Sequence, residues 1–261
     1  MLSLGCAQGN SQKPSDGGTE SRTAGHPRFC RQADQGRQSQ GVPCRTRVPY
    51  PKRQAHQALR RMRFPSVVLG YHGCDKDVAE EILAGKSEVR SSTNSYDWLG
   101  SGAYFWENNP ARALSWAKLL ARSDSRKIKT PAVIGAVIDA DNCLDLAEES
   151  SLELVKSSFD WFENLSRIAE LPLPVNEAGY KGDQDLVKRH LDCAVLNFLH
   201  ESRAAQGLAA YHTVRAPFFE GAELFRGSKL MEKTHVQWCV RDPRHSIIAY
   251  FRPRDPKATE V

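Results

Sequence analysis

Ser66 marks a change of character that limits what this 261-residue chain can fold into. Residues 1–64 are rich in Gln, Ser, Gly, Pro and Arg, with almost no aliphatic periodicity. Such a stretch buries too little apolar surface to offset its ordering entropy, so it reads as a disordered basic extension. It holds 12 Lys+Arg against 3 acidic residues, a charge of +9, whereas the other 197 residues hold 24 against 28, a charge of −4. The basic excess therefore lies in the extension, and the folded part has none to offer a nucleic acid. Two readings of residues 1–64 stay open: a basic arm that meets RNA or DNA phosphates, and an over-extended start, with Met62 just ahead of the first strand. The organisation expected is an extension at 1–64, one folded domain at 65–255 and a short tail at 256–261.

Several classes fall away. The longest apolar stretch, Pro131 to Ile138, is far short of the roughly 20 residues that span a bilayer, so no membrane partner is expected. Met1-Leu2-Ser3-Leu4-Gly5-Cys6 has neither the basic start nor the apolar run of a secretory signal. The cysteines at 6, 30, 44, 74, 143, 193 and 239 are odd in number, scattered and without C-x-x-C. They suggest buried or idle thiols of a cytoplasmic protein rather than zinc ligands or a disulfide framework.

From Ser66 onward the elements are readable. Val67 to His72 reads as a buried strand ending at Gly73, and Lys76 to Ala84 as a helix capped by Asp75 and stopped by Gly85. A polar loop, Lys86 to Asp97, leads through Gly100-Ser101-Gly102 into a strand at Ala103–Trp106. Asn108-Asn109-Pro110 then starts a helix that runs to Ala121. Ala132–Ile138 is the strongest strand. Helical patterns follow at Ser151–Ala169 and Asp185–Glu201, joined by the loop Leu171–Asp183. His235–Val240 and Ser246–Phe251 read as strands around the turn Asp242-Pro243-Arg244. Strands at both ends with helices between them predict an α+β fold, its mixed sheet split so that strand edges frame a cleft.

Three short pieces carry chemistry when taken in order: Tyr71-His72-Gly73, Gly100-x-Gly102-x-Tyr104-Phe105, and Gln237-Trp238-Cys239-Val240-Arg241-Asp242. Together they resemble the ADP-ribosyltransferases of the His-Tyr-Glu class, the poly-ADP-ribose-polymerase and diphtheria-toxin type, over roughly residues 66–120 and 234–252. Tyr96-Asp97-Trp98-Leu99-Gly100 adds the look of a bacterial branch. The resemblance implies an NAD cleft and transfer through an oxocarbenium-like state with nicotinamide leaving. It places His72 on a ribose hydroxyl and Tyr104 against the nicotinamide ring, with Trp116 closing the ring's other face. Gly73, lacking a side chain, would let backbone groups reach the carboxamide.

The chain departs from that pattern at the third motif. Gln237 stands where the class has its catalytic Glu, five residues before Asp242, and an amide keeps the hydrogen bond but loses the charge. Chain elongation is therefore not expected, and single transfer is. His235 shares a strand face with Gln237 and is a candidate base, with Glu232 the alternative if the register slips. Arg112 or Ala113 falls where the class has a Ser.

Two weaker signals read as solvated surface: the acidic group Asp139, Asp141 and Asp145, and the basic group Arg122, Arg126, Lys127 and Lys129. The expected activity is thus mono-ADP-ribosyl transfer from NAD to a protein or nucleic acid. A toxin or defence role, with an antitoxin or chaperone partner, belongs to the resemblance. NAD hydrolysis, NAD binding without turnover, and nucleic-acid binding through the arm are the alternatives.

Overall fold

The computed structural model describes residues 67–122, 128–179 and 185–254. The basic extension, the tail, Arg126, Lys127 and part of the loop 171–183 lie outside the described residues. The backbone of the fold is a seven-stranded mixed sheet, and the class is α+β, as expected. Its strands are β1 (Val67–Asp75), β2 (Ala103–Glu107), β3 (Pro131–Asp139), β4 (Cys143–Asp145), β5 (Thr213–Phe218), β6 (His235–Val240) and β7 (Ile247–Phe251). They lie in the order β4-β5-β6-β2-β1-β3-β7. The β4–β5 pair is parallel and the other pairs are antiparallel.

Strand alternation sorts the side chains onto two faces. One face gathers Cys74, Ala103, Phe105, Ile134, Ala136, Ile138, Trp238 and Val240, packed under Ala79 and Ile82 of α1 (Lys76–Leu83). On the other face, Tyr104, Val214, Ala216 and Cys239 pack with Leu196 and Leu199 of α4 (His190–Ala205). Trp106 on that same face packs with Ala113, Trp116, Ala117 and Leu120 of α2 (Pro110–Ala121). The 20-residue α3 (Glu149–Ile168) adds Leu154 and Val155 at the margin of the α4 cluster.

Local signals set the helix starts. Asp75 caps α1 by accepting from Asp77 N, and it also accepts from the Lys129 and Thr130 N–H groups. Asn109 caps α2 ahead of Pro110. Asp242 caps the one-turn α5 (Pro243–Ser246), which occupies the expected turn.

Some boundaries differ from the sequence expectation. β1 does not end at Gly73 but runs on to Asp75, because pairing with β3 continues through Gly73↔Val133, Cys74↔Ala132 and Asp75↔Pro131. His72 therefore lies within the strand. α4 begins at His190 rather than Asp185, since Lys188 bridges to Glu177 and Asp185 accepts from Gly221 N. Neither β4 nor β5 was anticipated. Proline is rare inside a sheet, yet Pro217 is accommodated because β4 pairs only with Thr213–Arg215, leaving that flank of β5 open.

Of the acidic group, Asp145 pairs with Arg215 and Asp139 accepts from Asp141 N, so each has a local structural partner. None of the four described cysteines is in a disulfide. Burial raises the Cys143 and Cys193 thiols to about 11 and Cys239 to about 12, so these three remain protonated and unreactive near neutrality. Among the described residues no helix is long and apolar enough to cross a membrane.

Candidate functional site

The sheet is pinched at its middle. β1 and β2 pair at Gly70↔Glu107 and Tyr71↔Trp106, and the pairing stops there. Beyond Tyr71, β1 continues beside β3 while β2 stays with β6, whose register sets Trp106 opposite Gln237. His72 bridges the two strands where they part, its Nδ1 lying 2.8 Å from the Tyr104 carbonyl oxygen. A carbonyl only accepts, so Nδ1 carries the proton and the tautomer is fixed. The His72 ring is buried and lies 5.8 Å from the ring of Phe105, on the face away from Tyr104.

On the opposite face a narrow cleft opens, lined by eight residues from five segments. Tyr104 and Trp106 project from β2 at two-residue spacing. Arg112 and Trp116 come from α2, one helical turn apart on the same side. Gln237 comes from β6, Asp97 and Trp98 from the turn before β2, and Glu220 from just past the end of β5. The cavity is about 30 Å³, room for one or two waters.

The turn is pinned by the phenol. Tyr104 Oη donates to Gly100 O at 2.6 Å and accepts from Leu99 N at 2.9 Å. Gly100 sits at φ +80°, and a Cβ there would stand 2.7 Å from Asn197 Oδ1, so glycine meets both the turn and the close approach. Burial raises the Tyr104 phenol well above its ordinary range, which keeps it protonated. Burial also raises Asp97 to about 6, against the opposing hydrogen bonds from Ser92 and Asn94.

Polar groups converge across the cleft. Arg112 Nη2 lies 2.9 Å from Glu220 Oε2, and that oxygen lies 3.5 Å from His235 Nδ1. His235 Nδ1 donates to Lys233 O at 2.7 Å, so its Nε2 is the acceptor for the Gln237 Nε2 amide at 3.1 Å. This fixes the amide orientation and assigns Gln237 Oε1 as the group's acceptor. Burial lowers the His235 pKa, favouring the neutral ring, while the Lys233 carbonyl and Glu220 oppose that shift. Three donors bordering this space are buried without an acceptor among the described residues: Trp106 Nε1, Trp116 Nε1 and Arg112 Nε. Orphaned donors of this kind are uncommon in native proteins and call for a polar partner.

The structure therefore brings Tyr104, Trp116 and Gln237 together, with His235 behind Gln237 on the same face. Gly73 lies beneath α2, where a Cβ would meet the Ala113 carbonyl oxygen at 2.2 Å. His72 is not among the residues lining the cleft, and Glu232 is exposed, outside it. Sequence reasoning missed Trp106, Arg112 and Glu220 as members of the site. Asp97 and Trp98 are legible in the sequence only as the end of the Lys86–Asp97 loop and part of the run Tyr96–Gly100, not as site residues.

No protein-family model matches the chain. Over 197 residues it is 27% identical to an uncharacterized protein of Methanocaldococcus jannaschii, a match covering 66% of this chain and 81% of that protein. This likeness carries no activity with it.

Proposed function

We propose that the cleft binds the nicotinamide end of NAD and that the protein is a mono-ADP-ribosyltransferase built on a split-sheet fold of the His-Tyr-Glu class. The observation that carries this reading is the composition of the cleft wall. Four aromatic rings, two carboxylates and three donors without acceptors surround one small space. The nicotinamide ring of NAD is flat and cationic, a combination favoured by aromatic faces and nearby carboxylates. Its carboxamide oxygen suits an indole N–H. In the reaction the bond from ribose C1′ to the pyridinium nitrogen breaks and its electron pair neutralises the ring. An acceptor atom of a protein or nucleic acid then bonds to C1′ and gives up a proton. Neutral nicotinamide loses the cation–π attraction and leaves more readily.

In this reading Tyr104 and Trp116 hold the ring and Gln237 Oε1 accepts from a ribose hydroxyl, while His72, on the other face of the sheet, braces β2 through the Tyr104 carbonyl instead of meeting the ribose. Gly73 acts chiefly by admitting α2. The test is incubation of the full chain with labelled NAD and cell lysate. Label should move to macromolecules, and Tyr104→Ala should abolish the transfer. Absence of NAD binding by calorimetry at millimolar ligand would sink the proposal.

NAD hydrolysis is the second reading, motivated by the uncharged Gln237 at the third motif position. Nicotinamide release without label transfer would select it.

A further inference from the structure

The register of the β5–β6 pair continues past the strands themselves. Ala216 faces Gln237 and Phe218 faces His235, and the next step sets Glu220 beside Lys233, whose N–H donates to the Glu220 carbonyl at 2.9 Å. Direct cross-strand partners share a face. Glu220 is thus carried onto the face that holds His235 and Gln237, two residues beyond Phe218. Its segment is fixed by further backbone bonds, Glu232 N to Ala222 O and Leu224 N to Leu230 O, and by Gly221 N donating to Asp185. The Glu220 residue is 7% exposed and its carboxylate lines the cleft.

We infer that Glu220 is the catalytic carboxylate of this cleft, performing from the β5 extension the work that Gln237 on β6 cannot. This rests on the reading of the cleft as an NAD site. The carboxylate stabilises the positive charge that grows on ribose C1′ as nicotinamide leaves with the bonding electron pair. It then takes the proton released when the hydroxyl of the acceptor, or water, bonds to C1′. Arg112 is its resting counter-ion, and the 2.9 Å ion pair spans the cleft before substrate enters. His235, 3.5 Å from the same carboxylate oxygen, positions both Glu220 and Gln237. A buried carboxylate held by a single guanidinium nitrogen has acceptor capacity to spare for a ribose hydroxyl.

The experiment uses the full chain and reads NAD affinity by calorimetry and nicotinamide release by chromatography. Glu220→Gln keeps the volume and can still accept from Arg112. It should bind NAD within about threefold of the parent and release nicotinamide on the order of 10²–10³ more slowly. The double variant Glu220→Gln/Gln237→Glu returns a carboxylate to the cleft from the other strand and should recover at least tenfold of the lost rate. Release by Glu220→Gln within threefold of the parent, with NAD bound normally, overturns the assignment and leaves the NAD reading standing. Failure of the parent to bind NAD overturns both. If Glu220→Gln melts far below the parent, the double variant decides: a folded double variant without recovered release counts against Glu220.

Discussion

Gly73 tests the difference between a glycine kept for ligand approach and one kept for packing. A Cβ built at this position would stand 2.2 Å from the Ala113 carbonyl oxygen, 3.1 Å from its carbonyl carbon and 3.2 Å from Ala117 Cβ. The nearest of these is helix backbone, which cannot rotate away as a side-chain tip would. Gly73→Ala therefore requires α2 to withdraw from β1 by about an ångström or more, thinning its contacts through Ala113, Trp116, Ala117 and Leu120. Overpacking of a core typically costs about 1–3 kcal/mol, and the rigid neighbour sets this case near the upper end. For a folded part of this size, ~3 kcal/mol corresponds to a melting shift of about 6–12 °C. Urea unfolding followed by tryptophan fluorescence should show the midpoint fall with the slope unchanged. Since α2 also carries Arg112 and Trp116, NAD affinity should fall with stability. A variant within about 0.5 kcal/mol of the parent refutes the packing argument. If that variant also lost NAD binding, Gly73 would be serving the ligand directly.

Tyr104→Phe should cost about 1–3 kcal/mol, because it takes the phenol from the buried Leu99 N–H and leaves the Gly100 carbonyl with only the weak Cys239 thiol donor; an unchanged urea midpoint would contradict the pinning of that turn. Asp97 gives a pH signature of definite sign. Burial holds its folded pKa at about 6, above the ordinary 3.8, so the native state binds the extra proton between those values and stability falls as pH rises through that window, by up to about 3 kcal/mol. Asp97→Asn should flatten that slope in unfolding curves taken from pH 4 to 6.5, whatever it does to the baseline. Arg215 lies 2.7 Å from Glu107 and 3.2 Å from Asp145, joining β2, β4 and β5. Arg215→Met should cost about 1–2 kcal/mol, discounted for partial exposure, and a cost that vanishes in calorimetry would show the network to be idle.

The parts of the fold legible in the sequence were those whose signals are local. Asp75 and Asn109 are side-chain caps, Pro110 tolerates the first helical turn, and β3 is a continuous apolar run; each needs only near neighbours to act. β5 was illegible for the same reason. Thr213-Val214-Arg215-Ala216-Pro217-Phe218 carries a charge and a proline, and its tolerance for Pro217 depends on β4 ending at Asp145, which is tertiary information. The site divided along the same line. Tyr104, Trp116 and Gln237 lie on elements whose pattern was readable, whereas Glu220 becomes visible only once β5 is paired with β6. For His72 the motif gave the residue, but strand alternation, with Phe105 as its ring neighbour, carries its side chain to the face away from the cleft.

Sheet register explains how a missing charge at one sequence position need not mean a missing charge in the cleft. Neighbouring antiparallel strands present direct partners on one face about 5 Å apart, so a side chain supplied by either strand can reach the same space. Gln237 and Glu220 lie on the same face of the two arms of one hairpin, four residues out of register, with His235 between them and bonded to the amide. A carboxylate at 237 would lie opposite Trp106, whereas Glu220 on the β5 extension already meets Arg112. On the proposed NAD reading, two differences from the His-Tyr-Glu pattern meet here: the amide at 237, and Arg112 or Ala113 where that class has a Ser. In that reading Arg112 holds the Glu220 carboxylate, and the amide at 237 avoids adding a further negative charge to the cleft.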